Sequence, residues 1–284
     1  MAITTKAQLE MAIDSRFVTF TGSKPNITNV IAGNFMSTWP LAGLPGTGTT
    51  PTATPVVLNH TSTGGFNFPQ PVAPMKAYLS EIQYTYAGTA QNNTLEIHDR
   101  MVHMGGLSGT ATTLQTITGF DLSTLAGTSN LDQRKGDANY SDVQWWLELF
   151  VDVGSTNSNA TVNVTFNDGT TGNLTVFNIG NNDRRINRMF PLNAQIAAAD
   201  QGKFIRGINS LQLSASTGGA GNIGFVATRY RGGVFGDQPS ERYKRGWTQI
   251  GLPEIFPSSC LSMIILGAST VTGTTNASAK IIYG

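Results

Sequence analysis

The chain has 284 residues and a mass of 30.2 kDa, with 18 Lys+Arg against 17 Asp+Glu and a net charge of +1. That balance excludes the global electrostatic footprint of a nucleic-acid-binding protein, so no specific nucleic-acid partner is expected. A mean hydropathy of −0.09 with 39% hydrophobic residues describes a chain with a real core, neither disordered nor membrane-spanning. Only 12% of positions are charged, and three histidines and one cysteine leave few groups for catalysis.

Threonine is the commonest residue and glycine the next. Short β-branched runs joined by Thr/Gly/Asn-rich connections predict an all-β protein with large loops. The opening residues lack the basic-then-apolar layout of a secretory signal, so use without Sec export is expected.

In chain order, Thr5-Lys6-Ala7-Gln8 reads as a capping box that opens a short helix, with Leu9, Ala12 and Ile13 on one side. Arg16–Phe20 follows as a strand. Residues 43–55 and 59–74 are Gly/Pro/Thr-rich loops without periodicity, expected to form interfaces and to become fixed only on docking. Ala77–Ala87 alternates, with Tyr84 and Tyr86 on one face, and Leu95–His98 alternates likewise. Trp145–Val153 carries apolar side chains on both faces and reads as a fully buried strand.

Thr161–Phe166 and Leu174–Ile179 flank Asn167-Asp168-Gly169, whose Asp-Gly supplies the positive φ angles of a hairpin turn. Ile208–Ser214 and Ile223–Arg229 are read as a second hairpin across a Gly-rich connection. Ser262–Leu266 and Ala279–Tyr283 are the last strands. These elements predict an antiparallel β-sandwich with jelly-roll connections, a short N-terminal helix and long loops. Residues 1–75 are expected to supply the helix, a strand and an extended arm, and residues 76–284 the sandwich body.

Several patterns invite a chemical reading. Gly219–Gly224 fits GxGxxG, but strand-like Phe225-Val226-Ala227-Thr228 follows where a dinucleotide site needs a helix. His98 and His103, five apart on a strand, point to opposite faces and make poor metal ligands. Gly106-Leu107-Ser108-Gly109 reads as a turn. Cys260 reads as a small buried hydrophobe. Glu96, Asp99, Asp142, Glu148 and Asp152 are the carboxylates open to a glycosidase reading, with Glu148 in the aromatic run Trp145–Glu148.

The one basic cluster runs from Arg229-Tyr230-Arg231 to Arg242-Tyr243-Lys244-Arg245-Gly246-Trp247. Arg, Tyr and Trp are the residues enriched at protein interfaces. The intervening glycines predict an extended loop that reaches a neighbour. The predicted interface residues are therefore Trp39, Arg229, Arg231, Arg242, Lys244, Arg245 and Trp247, with no catalytic, cofactor-binding or metal-binding residue.

Three stretches carry a family resemblance: Met1-Ala2-Ile3-Thr4-Thr5 with its helix, Asp99–Gly109, and Gly251-Leu252-Pro253-Glu254-Ile255 leading to Cys260-Leu261. Together with Leu211–Thr217, this pattern resembles structural proteins of tailed bacteriophages encoded beside the major capsid protein. The resemblance covers most of the chain loosely. It implies a non-enzymatic capsid cement or decoration subunit, a homotrimer without cofactor, made in the host cytoplasm. Such a subunit lies on the outer surface of the capsid and clamps the major capsid protein, without touching a membrane. Residues Ala32–Pro74 and the Arg229–Trp247 loop would make the contacts. Two other readings share the composition. One is a phage tail, baseplate or receptor-binding protein that binds sugar through exposed Trp39, Trp145 or Trp146. The other is a β-sandwich carbohydrate-active enzyme that depends on Glu148.

Overall fold

The computed structural model describes residues 3–88, 93–125, 129–267 and 271–284; Met1 and Ala2 of the resemblance lie outside the described residues. Helix α1 (Lys6–Ser15) is followed by strands β1 (Phe17–Val30), β2 (Phe35–Ser37), β3 (Val56–Val57), β4 (Ala77–Gly88), β5 (Asn93–Leu107) and β6 (Gln115–Thr116). A short helix α2 (Leu131–Arg134) precedes β7 (Val143–Val151), β8 (Ser158–Phe166), β9 (Thr171–Asn173), β10 (Phe177–Ile179), β11 (Arg188–Pro191), β12 (Ile205–Leu213) and β13 (Asn222–Gly236). The last elements are β14 (Arg242–Gly246), α3 (Trp247–Ile250), β15 (Glu254–Ile255), β16 (Leu261–Gly267) and β17 (Val271–Tyr283). The protein is all-β, with antiparallel sheets and a short N-terminal helix, as the alternation predicts.

The capping box forms as expected. Gln8 N–H donates to Thr5 Oγ1 at 3.2 Å, and Thr5 N–H donates back to Gln8 Oε1 at 3.1 Å.

The chain divides into two compact units. The first comprises residues 1–48, 59–99 and 230–284; the second comprises 49–58 and 100–229. Each is a small sandwich with its own core. In the first, one sheet runs β1-β17-β4-β14, with β15 also paired to β4. A second layer is built by β16 with β2 and the Asn93–Asp99 part of β5. Phe20, Leu79, Ile82, Tyr84 and Ile281 from one layer meet Met36, Leu95, Ile97, Met263 and Ile265 from the other. Strand β1, expected at the root of an N-terminal arm, is paired from Phe17↔Ile282 to Val30↔Val271 along β17.

In the second unit, β10-β8-β12-β6 form one sheet, with β9 also paired to β8. β7 lies between β11 and β13 in the other layer. Val162, Val164, Phe166, Ile208 and Leu211 pack with Trp145, Leu147, Leu149, Ile223 and Phe225. Trp145 anchors this core: its ring meets Phe120 edge-on at 5.2 Å, and its Nε1–H donates to Ile205 O at 2.8 Å. The Asp168-Gly169 turn forms, with Gly169 at φ +84°. Its return strand is split into β9 and β10, both paired to β8.

One expected hairpin is not present. β12 pairs with β8, whereas β13 pairs with β7. The glycine-rich connection therefore crosses from one sheet to the other instead of turning within one. Along the crossing the link's backbone packs on the segment after β7: a Cβ on Gly219 would meet Gly154 N at 2.9 Å, and one on Gly221 would meet Asp152 O at 2.8 Å. No helix follows Gly219–Gly224; Asn222 opens β13 directly.

Candidate functional site

The Asp99–Gly109 segment of the resemblance is a buried spine. Within the first unit, Asp99 accepts from Cys260 N–H and Ser259 Oγ–H, both at 2.9 Å. His98 Nε2 lies 2.8 Å from Glu96 Oε2. Within the second unit, Arg100 Nη2 lies 2.8 Å from Glu148 Oε2, with the two side chains 1% and 0% exposed. Burial, and then the Arg100 charge, push the His103 pKa down to about 2, so that ring is neutral. Gly106 (φ +77°) donates its N–H to Asn222 Oδ1 at 2.9 Å, and Asn222 Nδ2 donates to Pro51 O at 3.2 Å. Among the described residues no group of three or more His, Cys, Asp or Glu could hold a metal ion, and no helix is long and apolar enough to cross a membrane.

The predicted interface residues are separated by the fold. The Arg229–Trp247 stretch is no extended loop: Asn222–Gly236 and Arg242–Gly246 are both strands, because backbone pairing takes up most of its length. Arg229 hydrogen-bonds Arg134 O at 3.2 Å and pairs with Asp142 in the second unit. Arg231 is buried in the first unit, its guanidinium 5.5 Å from the centre of the Phe256 ring. Trp39 is fully buried, and so are Trp145 and Trp146, at 0%, 0% and 3% exposure. None of these tryptophans offers a ring to the surface. Around Trp39 the cause is glycine: a Cβ on Gly48 would lie 2.2 Å from the ring, and one on Gly64 2.9 Å. The glycine-rich loop is the packing wall of that indole.

Arg242, Lys244 and Trp247 do come together, on and beside β14, whereas Arg245, in register with core-facing Ile82, points to the other face of the sheet. In the β1-β17-β4-β14 sheet, Phe20, Ala277, Ala279, Ile82 and Tyr84 face the core. The alternate residues face out. Register then builds two outward rows. One is Thr21, Ser278, Gln83 and Lys244; the other is Ser23, Asn276, Thr85 and Arg242. Ser23 Oγ–H donates to Asn276 Oδ1 at 2.8 Å. Apart from Lys244, these rows line a hollow of about 250 Å³. A second hollow of about 270 Å³ is lined by Ile13, Glu81, Lys244, Trp247 and Lys280. There Lys244 Nζ lies 2.7 Å from Glu81 Oε2, and Lys280 Nζ donates to Ile13 O at 2.7 Å. Burial works to raise the Glu81 pKa, but the bonds from Lys244 and Gln83 outweigh it and hold the carboxylate below its usual range.

The loops of the first unit contain groups that the sequence did not single out. Lys24 is fully buried in β1. Its Nζ donates to Pro45 O at 2.6 Å and Leu41 O at 2.8 Å, with Gly46 O at 3.4 Å. Burial lowers its pKa to about 8. Ser23 and Leu44 exchange two backbone hydrogen bonds of 2.7 Å. The loop is thus fixed by the free chain itself, ahead of any docking, while Leu44 stands 53% exposed. The Val72–Met75 turn is closed by Met75 N–H on Val72 O at 2.9 Å, and Lys76 N–H on Gly284 O at 2.8 Å anchors it. Val72 and Met75 are 69% and 39% exposed.

No protein-family model and no curated protein matches the chain. Among solved structures, the derived T=1 particles of infectious bursal virus are similar over 94% of this chain and 78% of that chain, at 10% identity and a TM-score of 0.17. The VP2 subviral particle of infectious bursal disease virus is similar over 94% and 80%, at 10% identity and a TM-score of 0.16. The Gx strain structure of the same virus gives 95% and 82%, at 9% identity and a TM-score of 0.17. Likeness at this level assigns no function.

Proposed function

We propose that the protein is a non-enzymatic virion structural subunit of the capsid cement or decoration type. It acts by burying surface on the outside of a capsid lattice, against the major capsid protein and copies of itself in a homotrimer. The observation that carries this reading is the pairing of rigidity with apolar exposure in the first unit's loops. Large exposed apolar side chains on a mobile loop lose binding energy to ordering, at about 1–2 kcal/mol per residue. Here Lys24 and Trp39 order the loop that carries Leu44, and the bonds of Met75 N–H to Val72 O and of Lys76 N–H to Gly284 O order the turn that carries Val72 and Met75, and all three apolar side chains are left outside. Covering what each still exposes releases a part of the about 1.5–3 kcal/mol that full burial of such a side chain is worth. The resemblance of Asp99–Gly109 and Gly251–Leu261 to phage virion proteins points to a capsid as the covering surface.

The test is sedimentation with capsids that lack the subunit. Stoichiometric co-sedimentation and raised heat resistance of the particles are expected. A Leu44→Asp/Val72→Asp/Met75→Asp variant should bind more than ten-fold more weakly, since charge cannot be buried there without loss. Wild-type protein left in the supernatant, or a variant that binds as well as wild type, would overturn the reading. Arg231→Ala is unsuitable as an interface probe, because that side chain is buried on Phe256.

A further inference from the structure

The outer face of the β1-β17-β4-β14 sheet is not explained by loop-mediated docking. Six neighbouring positions, Thr21, Ser23, Gln83, Thr85, Asn276 and Ser278, carry neutral hydroxyl or amide groups. Thr21, Thr85 and Ser278 make no side-chain hydrogen bond to other described residues, so their donors and acceptors are available. Arg242 ends one row, exposed and without an ion pair among the described residues. Trp247 borders the adjoining hollow with 41% of its surface exposed. Among the described residues that line the two hollows, Arg242, Lys244 and Lys280 stand against the carboxylate of Glu81 and leave an excess of two positive charges, although the whole chain carries only +1.

Each feature selects a ligand property. Paired hydroxyl and amide groups at strand spacing, about 4.8 Å, match a ligand rich in hydroxyls at short repeat. An exposed indole offers a flat apolar surface with a polar edge. A free guanidinium takes a carboxylate through two parallel hydrogen bonds. Nucleic acid fits less well: it asks for a track of cations with interleaved aromatics, whereas here Lys244 is paired with Glu81, Lys280 lies over the Phe17 ring, and the rest of the face is a lawn of neutral hydroxyl and amide groups. We propose that this face binds an oligosaccharide bearing carboxylate groups, with Arg242 on the carboxylate, the Ser/Thr/Asn/Gln rows on the hydroxyls and Trp247 against a sugar ring.

The tryptophans make the test specific. Trp39, Trp145 and Trp146 are buried, so a ligand that changes the emission of the folded chain reports on Trp247. The full chain would be applied to an array of sialylated and uronic-acid glycans printed beside their neutral counterparts and a single-stranded dT oligomer. Hits would be titrated by tryptophan fluorescence. Saturable binding of acidic glycans with a Trp247 signal is expected, weakened roughly ten-fold or more by Arg242→Ala and less by Arg242→Lys. Both variants should keep the wild-type melting temperature, because Arg242 is exposed. No acidic-glycan binding would overturn the proposal, as would equal binding of the neutral counterparts, a preference for dT, or affinity unchanged in Arg242→Ala. Capsid co-sedimentation of Arg242→Ala should match wild type, so failure here leaves the capsid reading standing.

Discussion

Replacing Glu148 by alanine is expected to destabilise the chain by about 3–5 kcal/mol, because it strands the Arg100 charge in a dry interior. Arg100 and Glu148 are 2.8 Å apart and essentially without solvent exposure. Glu148 sits on the inner strand β7, in register with Met189 of β11 and Gly224 of β13. The ring of Phe150, 5.7 Å from Arg100 Cζ, offers only a weak cation–π contact. His103, whose Nδ1 is 3.5 Å from Arg100 Nη2, is neutral and brings no counter-charge. Urea unfolding would show a lower midpoint with an unchanged slope. The double variant Arg100→Met/Glu148→Leu should recover most of the loss, since removing both charges removes both desolvation penalties. A single-variant loss below about 1 kcal/mol would contradict a structural ion pair. It would return Glu148 to the catalytic reading, which needs a carboxylate that a substrate can reach.

What was legible in the sequence was local. The Thr5–Gln8 capping box and the Asp168-Gly169 turn follow from short-range rules and are present, and of the two-faced apolar pattern read over Trp145–Val153 the stretch from Trp145 to Phe150 is buried on both faces, while Val151, where the strand ends, is exposed. Pairing partners were not legible. A glycine-rich link such as Thr217–Gly221 announces that the chain reverses, but not whether it stays in one sheet, and here it does not. Nor was the division into two units visible. The first unit is assembled from three separate segments, and both units share the same Thr/Gly-rich composition.

The candidate site was half legible for a physical reason. Arg242, Lys244 and Trp247 lie within six residues, so a composition scan finds them. Asn276 and Ser278 join them only through the β17–β4 and β4–β14 registers, and Thr21 and Ser23 only through the further pairing of β1 with β17, more than 250 residues away in sequence. Trp39 misled because glycine neighbours look like an exposed loop. Gly48 and Gly64 are there because any side chain would collide with the indole. Lys24 was passed over because a lone lysine in a strand normally reaches solvent.

Lys24→Met is expected to release the loop that carries Leu44, and to change how stability depends on pH. In the folded chain the ammonium satisfies the carbonyls of Leu41 and Pro45. Each carbonyl left buried without a donor costs about 1–3 kcal/mol. Methionine fills the space but donates nothing, so the backbone bonds between Ser23 and Leu44 should open more often. Amide exchange at Leu44 would rise by one to two orders of magnitude, at roughly 1.4 kcal/mol per factor of ten. The pH signature is separate. Burial lowers the Lys24 pKa from 10.5 to about 8. Between those values the unfolded chain holds a proton that the folded chain has released. Wild-type stability relative to Lys24→Met therefore rises with pH from about 8 to 10.5, and that gain is lost as pH falls back through about 8. Chemical unfolding of both proteins at pH 7, 9 and 10.5 measures it. A difference that stays flat, or narrows with rising pH, would show that the ammonium is not desolvated, and unchanged Leu44 exchange would show that the carbonyl cage does not hold the loop. If both effects appear and capsid binding falls in parallel, the buried lysine is what keeps Leu44 presented for contact.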